Sequence, residues 1–286
     1  MTTPTTRTLD VPGASIAYDV RGPLPTADGR PALLLIGQPM DASGFATLAG
    51  LLADRTVVTY DPRGLGRSTR SDGSTENSPQ QQAEDLHRLI GELGPVDLFG
   101  SSGGAVTGLQ LVSTHPEDVL TFVAHEPPLL GVLPDAEQAF AAERAVQQAY
   151  HQRGWGAGMA AFIALTSWPG ELTAAFGDQL PDPAAFGLPT GDDGSRGDPL
   201  LSGVSNAVTG YVPDLAALRA ASTRVVVAAG IESKDLLTWR SSAALADALG
   251  QELSVFPSHH GGFSGPEFGH AGQPEAFAAR LTEVLG

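Results

Sequence analysis

The chain contains no cysteine, which removes disulfide frameworks, thiolate metal sites and thiol catalysis together. Positive charge is also scarce. Lysine and arginine number 16 against 32 aspartates and glutamates, for a formal net charge of −16, and Lys234 is the only lysine. No basic stripe is present to neutralise phosphates, so nucleic acid is excluded as a partner. No apolar run approaches the roughly 20 residues needed to cross a bilayer. The opening MTTPTTRTLD lacks the basic-then-apolar layout of a secretory signal, and a cytoplasmic protein is the expectation. A chain of 286 residues suits one α/β domain with an insertion, and can bury a core that needs no staples. Nothing in it excludes a homodimer.

What is present is an alternation of short β-rich runs with longer helical patterns, which predicts a parallel sheet with helices on both faces. The strands are read at Ala14–Val20, Ala32–Ile36, Arg55–Tyr60, Val96–Phe99, Leu120–Ala124, Arg224–Ala229 and Glu252–Phe256. Leu86, Leu89, Ile90 and Leu93 fall on one helical face, and Trp239–Leu249 and Pro274–Leu285 read the same way. From Leu130 to Leu218 no strand is legible. Helical patterns recur there at Asp135–Gln152, Ala157–Thr166 and Leu200–Thr209, interrupted by a turn-rich, mobile loop at Pro181–Pro199. The expected organisation is a core made of 1–129 and 219–286 with a helical cap, 130–218, inserted between them.

Chemistry enters at Gly100-Ser101-Ser102-Gly103-Gly104. Ser102 stands in a Gly-x-Ser-x-Gly frame between the strand Val96–Phe99 and a helical run, Ala105–Ser113. A sharp strand-to-helix turn of this kind exposes a serine hydroxyl and aims helix-start amides at a developing oxyanion. Ser101 is the rival nucleophile, but its frame puts Phe99 where a small residue is needed. A serine nucleophile requires a base that works near neutral pH, and histidine is the usual one. Of seven histidines, His87 and His115 read as structural and His151 falls in the cap, while His125 adjoins a candidate acid. His259 and His260 follow the last strand, and His270 lies in a later loop. A metal site of His259, His260 and His270 lacks supporting carboxylate spacing, and no metal or cofactor is expected.

With these residues the sequence resembles the α/β-hydrolase superfamily over nearly its whole length. Asp61-Pro62-Arg63-Gly64-Leu65-Gly66-Arg67-Ser68 looks like that family's Asp-x-Arg-Gly-x-Gly-x-Ser turn. Gly64-Leu65-Gly66 lacks the third glycine and the acidic partner of a dinucleotide site. Ile36-Gly37-Gln38-Pro39 occupies the place of the family's His-Gly-x-Pro loop, with Ile36 where histidine is usual. The resemblance implies oxyanion donors at the Gln38 and Gly103 amides, and a base three residues after Pro257, which is His260.

The acid departs from the common pattern. Its usual position, after the strand Arg224–Ala229, holds Ser233, with Glu232 and Asp235 out of register. Glu126, in His125-Glu126-Pro127-Pro128, follows the preceding strand instead, and a carboxylate there needs a partner if buried. This placement resembles some haloalkane dehalogenases and the zearalenone lactonases. Glu126 is therefore expected to be the acid, with Glu232 in reserve.

A serine at the elbow argues against epoxide opening and halide displacement, which the superfamily performs with aspartate. The expectation is a cofactor-free serine hydrolase of a small apolar ester or lactone, including a zearalenone-type macrolactone, acting through an acyl-enzyme. Trp168 and Tyr211 are expected to bind substrate, and Met159 and Phe162 are further apolar candidates. A C–C or thioester hydrolase with the same triad, or a receptor-like binding protein of this fold, are the alternatives.

Overall fold

The computed structural model of the chain describes residues 3–76, 78–178, 180–269 and 271–286. An antiparallel hairpin of β1 (Thr5–Val11) and β2 (Ala14–Arg21) opens it. There follow β3 (Leu33–Gln38), α1 (Ala46–Leu51), β4 (Val57–Tyr60), β5 (Thr69–Arg70), α2 (Pro79–Leu93), β6 (Val96–Ser102), α3 (Gly103–Thr114) and β7 (Val119–His125). Helices α4 (Ala136–Arg153), α5 (Trp155–Thr166), α6 (Asn206–Thr209) and α7 (Leu215–Ala220) come next. The sheet resumes with β8 (Arg224–Gly230), α8 (Leu237–Leu249), β9 (Ser254–Phe256) and α9 (Pro274–Leu285).

The strand order is β1-β2-β4-β3-β6-β7-β8-β9, with β5 also on β2. From β4 to β9 the neighbours run parallel, and the antiparallel pairs involve β2. A central strand of such a sheet is covered on both faces, so it is apolar at consecutive positions rather than alternate ones. β3 obeys this: Leu34 and Ile36 enter the core layer that holds Leu86, Leu89 and Leu109 of α2 and α3. Leu33 and Leu35 point the other way, into the layer of Leu48, Phe277 and Leu281 from α1 and α9. Local chemistry sets the helix ends. Ser78 accepts a hydrogen bond from the Gln81 amide at 3.2 Å and Pro79 takes the first helical position of α2, where a missing N–H costs nothing.

Two departures from the sequence reading have simple causes. β1 is a polar edge strand, Thr5-Thr6-Arg7-Thr8, exposed over most of its length, so no apolar period marks it. The pattern at Leu200–Thr209 yields only α6, because Gly203 takes a positive φ of 89° within it. The segment from Pro181 to Pro199 contains one tight turn, Pro183–Phe186, capped by Asp182.

Helices α4 and α5 share a cluster around Tyr150, Ala161 and Leu201, whereas Val208 of α6 and Leu218 of α7 join the main core. The α4–α5 cluster is tied to the sheet-bearing part by Asp135, which accepts the Leu172 amide at 2.6 Å and pairs with Arg240 of α8. Arg240 also donates to the Gly170 carbonyl at 2.7 Å. Among the described residues no helix is long and apolar enough to cross a membrane.

Candidate active site

β6 ends and α3 begins at Ser102, whose φ of 58° and ψ of −127° lie outside the ordinary regions for an L-residue. Such a conformation costs about 1–3 kcal/mol and persists only where packing enforces it. The packing is visible at two glycines. A Cβ on Gly104 would sit 2.4 Å from the Ile36 carbonyl oxygen, and one on Gly100 would sit 2.8 Å from that of Gly104. Larger residues would push the helix off the sheet. The Ser102 hydroxyl does not cap α3, and the residue lines a cavity of about 350 Å³ together with Gly103, Gln38 and His260.

His260 Nδ1 lies 2.6 Å from Glu126 Oε2. Glu126 is fully buried and accepts two further bonds, from the Gly230 amide at 2.9 Å and the Thr238 hydroxyl at 2.6 Å. Burial by itself would raise its carboxyl pKa, but the His260 hydrogen bond and charge, with His125 and Thr238, hold it well below the usual carboxylate range. Its own backbone is strained, with φ 50°. Among the described residues three of the four non-glycine positive φ values fall at Ser102, at Glu126 and at Ser258, which lies two positions before His260. Glu232 is turned elsewhere: it accepts from the Gln273 amide group at 3.0 Å and lies 3.4 Å from the Ser258 hydroxyl. Ser233 is buried and lines the cavity. Gly230 and Thr238 carry no local sequence signal for this role, since each lies more than 100 residues from Glu126.

The register of β3 on β6 sets Gln38 opposite Ser102. Gly103 heads α3, where a helix amide has no partner within the helix, and a Cβ there would lie 2.8 Å from Gln38 Cβ. The Gln38 side chain is buried, and neither its Nε2 nor its Oε1 has a hydrogen-bond partner among the described residues. The Asp61–Ser68 turn braces this loop. Asp61 accepts the Ala42 amide at 3.0 Å, the Arg67 amide at 2.7 Å and the Arg67 guanidinium at 2.7 Å. Arg63 forks onto Asp85 of α2 at 2.8 and 2.6 Å.

Trp168 and Tyr211 are not among the residues lining this cavity. The Trp168 ring packs edge-on to Phe176 at 5.7 Å and its indole N–H donates to the Glu171 carbonyl. Tyr211 belongs to the main core, where burial pushes its hydroxyl up to about 12. Met159 packs among the helices, and Phe162 alone of these four candidates faces the cavity. The sequence reading missed Glu143, Gln147, Asn206 and Thr209, which also line it. Polar residues on amphipathic helices read as solvent-facing until a second surface covers them.

Behind Ser102 lies a second buried pair, Ser101 Oγ and His125 Nδ1 at 3.2 Å. His259 lines the cavity, and its Nδ1 accepts the Gly261 amide at 3.1 Å. His270 lies outside the described residues, so the His259–His260–His270 grouping is not described. Among the described residues His87, His115 and Asp118 bring three possible metal ligands within 4.8 Å of one another, none of them in the cavity. His87 is held by Asp118 at 2.7 Å and His115 by Glu84 at 3.0 Å.

A strand–turn–helix serine, an imidazole held by a buried carboxylate and a mostly parallel sheet define a hydrolase of the alpha/beta type. The pattern of the alpha/beta hydrolase family matches residues 33–280, and the chain belongs to that family. It is 31% identical over 264 residues to YraK, an uncharacterized hydrolase of Bacillus subtilis (strain 168), covering 90% of each chain. In fold it is similar to a hydrolase from Pseudomonas aeruginosa PA01, with a TM-score of 0.65, 21% identity and 98% of both chains covered. It is likewise similar to the enol-lactonase from Burkholderia xenovorans LB400, with a TM-score of 0.63, 17% identity, and 98% of this chain and 99% of that one covered.

Proposed function

We propose that this hydrolase cleaves a carboxylic ester or lactone of a small, largely apolar substrate through an acyl-enzyme, as a cofactor-free enzyme of the cytoplasm. The observation that carries the reading is the 2.6 Å contact between the buried Glu126 and Nδ1 of His260, which lines one cavity with Ser102. Ser102 is the nucleophile, His260 the base and Glu126 the group that orients it. Residues 130–218 act as the cap, and 1–129 with 219–286 as the core.

In the first step Ser102 Oγ bonds to the substrate carbonyl carbon and its proton passes to His260 Nε2. Glu126 keeps the Nδ1–H oriented and balances the imidazolium. The carbonyl electron pair becomes an oxyanion that the Gln38 and Gly103 amides receive, each donor worth about 10²–10³ in rate. Collapse restores the carbonyl, and the alkoxide leaves with the proton from His260. Water then repeats the sequence: His260 takes its proton, its oxygen attacks the acyl carbon, and Ser102 leaves with that proton. Glu126 at the end of β7 is the acid placement in which the sequence resembles the zearalenone lactonases. It supports a zearalenone-type macrolactone among the substrates.

The test is a Ser102→Ala variant assayed on a chromogenic ester beside labelling of the native protein by a fluorophosphonate. Loss of turnover with retained folding, and covalent labelling at Ser102, are expected. Undiminished turnover in the variant refutes the assignment, and tight ligand binding without labelling points to a receptor-like protein. Thioester and C–C substrates assayed side by side test the ester preference.

A further inference from the structure

The cavity has two chemically different walls. The sheet side offers Ser102, Gly103, Gln38 and His260; the helical side offers Val146, Val208 and Phe162, and among them Glu143 of α4. Glu143 is half-buried, and burial pushes its carboxyl pKa up. Thr209 Oγ1 donates to Glu143 Oε1 at 2.6 Å, and no hydrogen bond to its Oε2 is made among the described residues. Among the described residues no lysine or arginine lines the cavity, and the charge of the adjoining Arg144 offsets the effect of burial on Glu143 only in part. Beside Glu143, Gln147 Nε2 donates to Asn206 Oδ1 at 2.6 Å.

A carboxylate withdrawn from water against apolar side chains is costly unless a donor meets it. On a cavity wall without a fixed cation, the missing donor can come from what the cavity holds. The same group rejects anions, because a second carboxylate placed there meets a like charge and no lysine or arginine among the described residues of the lining. We propose that Glu143, supported by Thr209, determines specificity in this cavity: it receives a hydrogen-bond-donating group, a hydroxyl or an ammonium, borne by the substrate away from the scissile ester, and turns away substrates with a carboxylate there. This rests on the serine-hydrolase reading and narrows it from an apolar ester to one with a donor.

Four chromogenic esters that differ only at the acyl terminus, in ammonium, hydroxyl, methyl or carboxylate, test it. For the native protein kcat/KM is expected to be at least about tenfold higher for a donor terminus than for methyl, and lowest for carboxylate. In Glu143→Leu the donor advantage and the carboxylate penalty both shrink about tenfold or more. Glu143→Gln separates the two donors: the hydroxyl ester keeps part of its advantage and the ammonium ester loses it. Unchanged ratios in Glu143→Leu overturn the inference. Calorimetry of the same four esters with Ser102→Ala, and with Ser102→Ala/Glu143→Leu, reads the preference without turnover. A protein that turns over none of the four yet binds them in the expected order refutes the catalytic reading alone. A preference absent from both series, or identical in the two Ser102→Ala proteins, refutes the role of Glu143.

Discussion

Acid should destabilise this protein earlier than its carboxylates alone would, and His125 is the reason. The imidazole is fully buried, with Nδ1 beside the Ser101 hydroxyl and Nε2 unpartnered among the described residues. Phe99, Phe256, Phe263 and Phe277 surround it at ring separations of 5.2–6.3 Å. Burial lowers its pKa from 6.5 to about 4, His260 adding to the effect and the Glu126 charge opposing it. The unfolded chain therefore takes up a proton below about pH 6.5 that the folded chain refuses until about pH 4. Within that window the unfolded state binds more protons, so stability falls as pH falls. A gap of about 2.5 units corresponds to about 3 kcal/mol, complete near pH 4. That is a large share of the total for a domain stable by about 5–15 kcal/mol. Urea unfolding from about pH 7 down to about pH 4.5 should show the native protein losing about 2–3 kcal/mol more than His125→Phe, whose ring suits the same cage. Parallel curves refute the reasoning. If the variant does not fold, the imidazole resonances of His125 decide it in the native protein: they should report a neutral ring down to about pH 5, and a midpoint near 6.5 is the refuting result.

Two further outcomes follow from the site and its braces. Glu126→Gln should lower kcat by about 10⁴, the loss expected when the imidazole keeps its place but not its tautomer, while Glu232→Gln changes it by less than about threefold; steady-state kinetics that reverse this order make Glu232 the acid. Asp85→Ala should cost about 3–5 kcal/mol in denaturant unfolding, because Arg63, only 3% exposed, is left with Asp72 alone among its carboxylates; replacing both Arg63 and Asp85 with apolar residues should recover most of that loss.

Much of this protein is determined locally. The apolar runs of β3, β6 and β7 announce a doubly covered sheet because burial on both faces leaves no polar alternation to read. Ser102 is legible for a related reason: the strained turn and its close approaches admit only small neighbours, so Gly100 and Gly104 mark it. Only the tertiary structure decides which carboxylate meets His260. Glu126 and Glu232 each lie close to the end of a strand, and β7 and β8 are neighbours in register from Thr121 against Arg224 to His125 against Ala228. What separates the two carboxylates is their surroundings. The Gly230 amide and the Thr238 hydroxyl converge on Glu126, whereas Glu232 is exposed beside Gln273. The cavity wall was hidden in the same way. Trp168 and Tyr211 are large and apolar, so helical packing consumes their rings. Glu143 and Thr209 lie 66 residues apart in the sequence, and only the folded chain brings them together on the wall of the cavity that Ser102 lines.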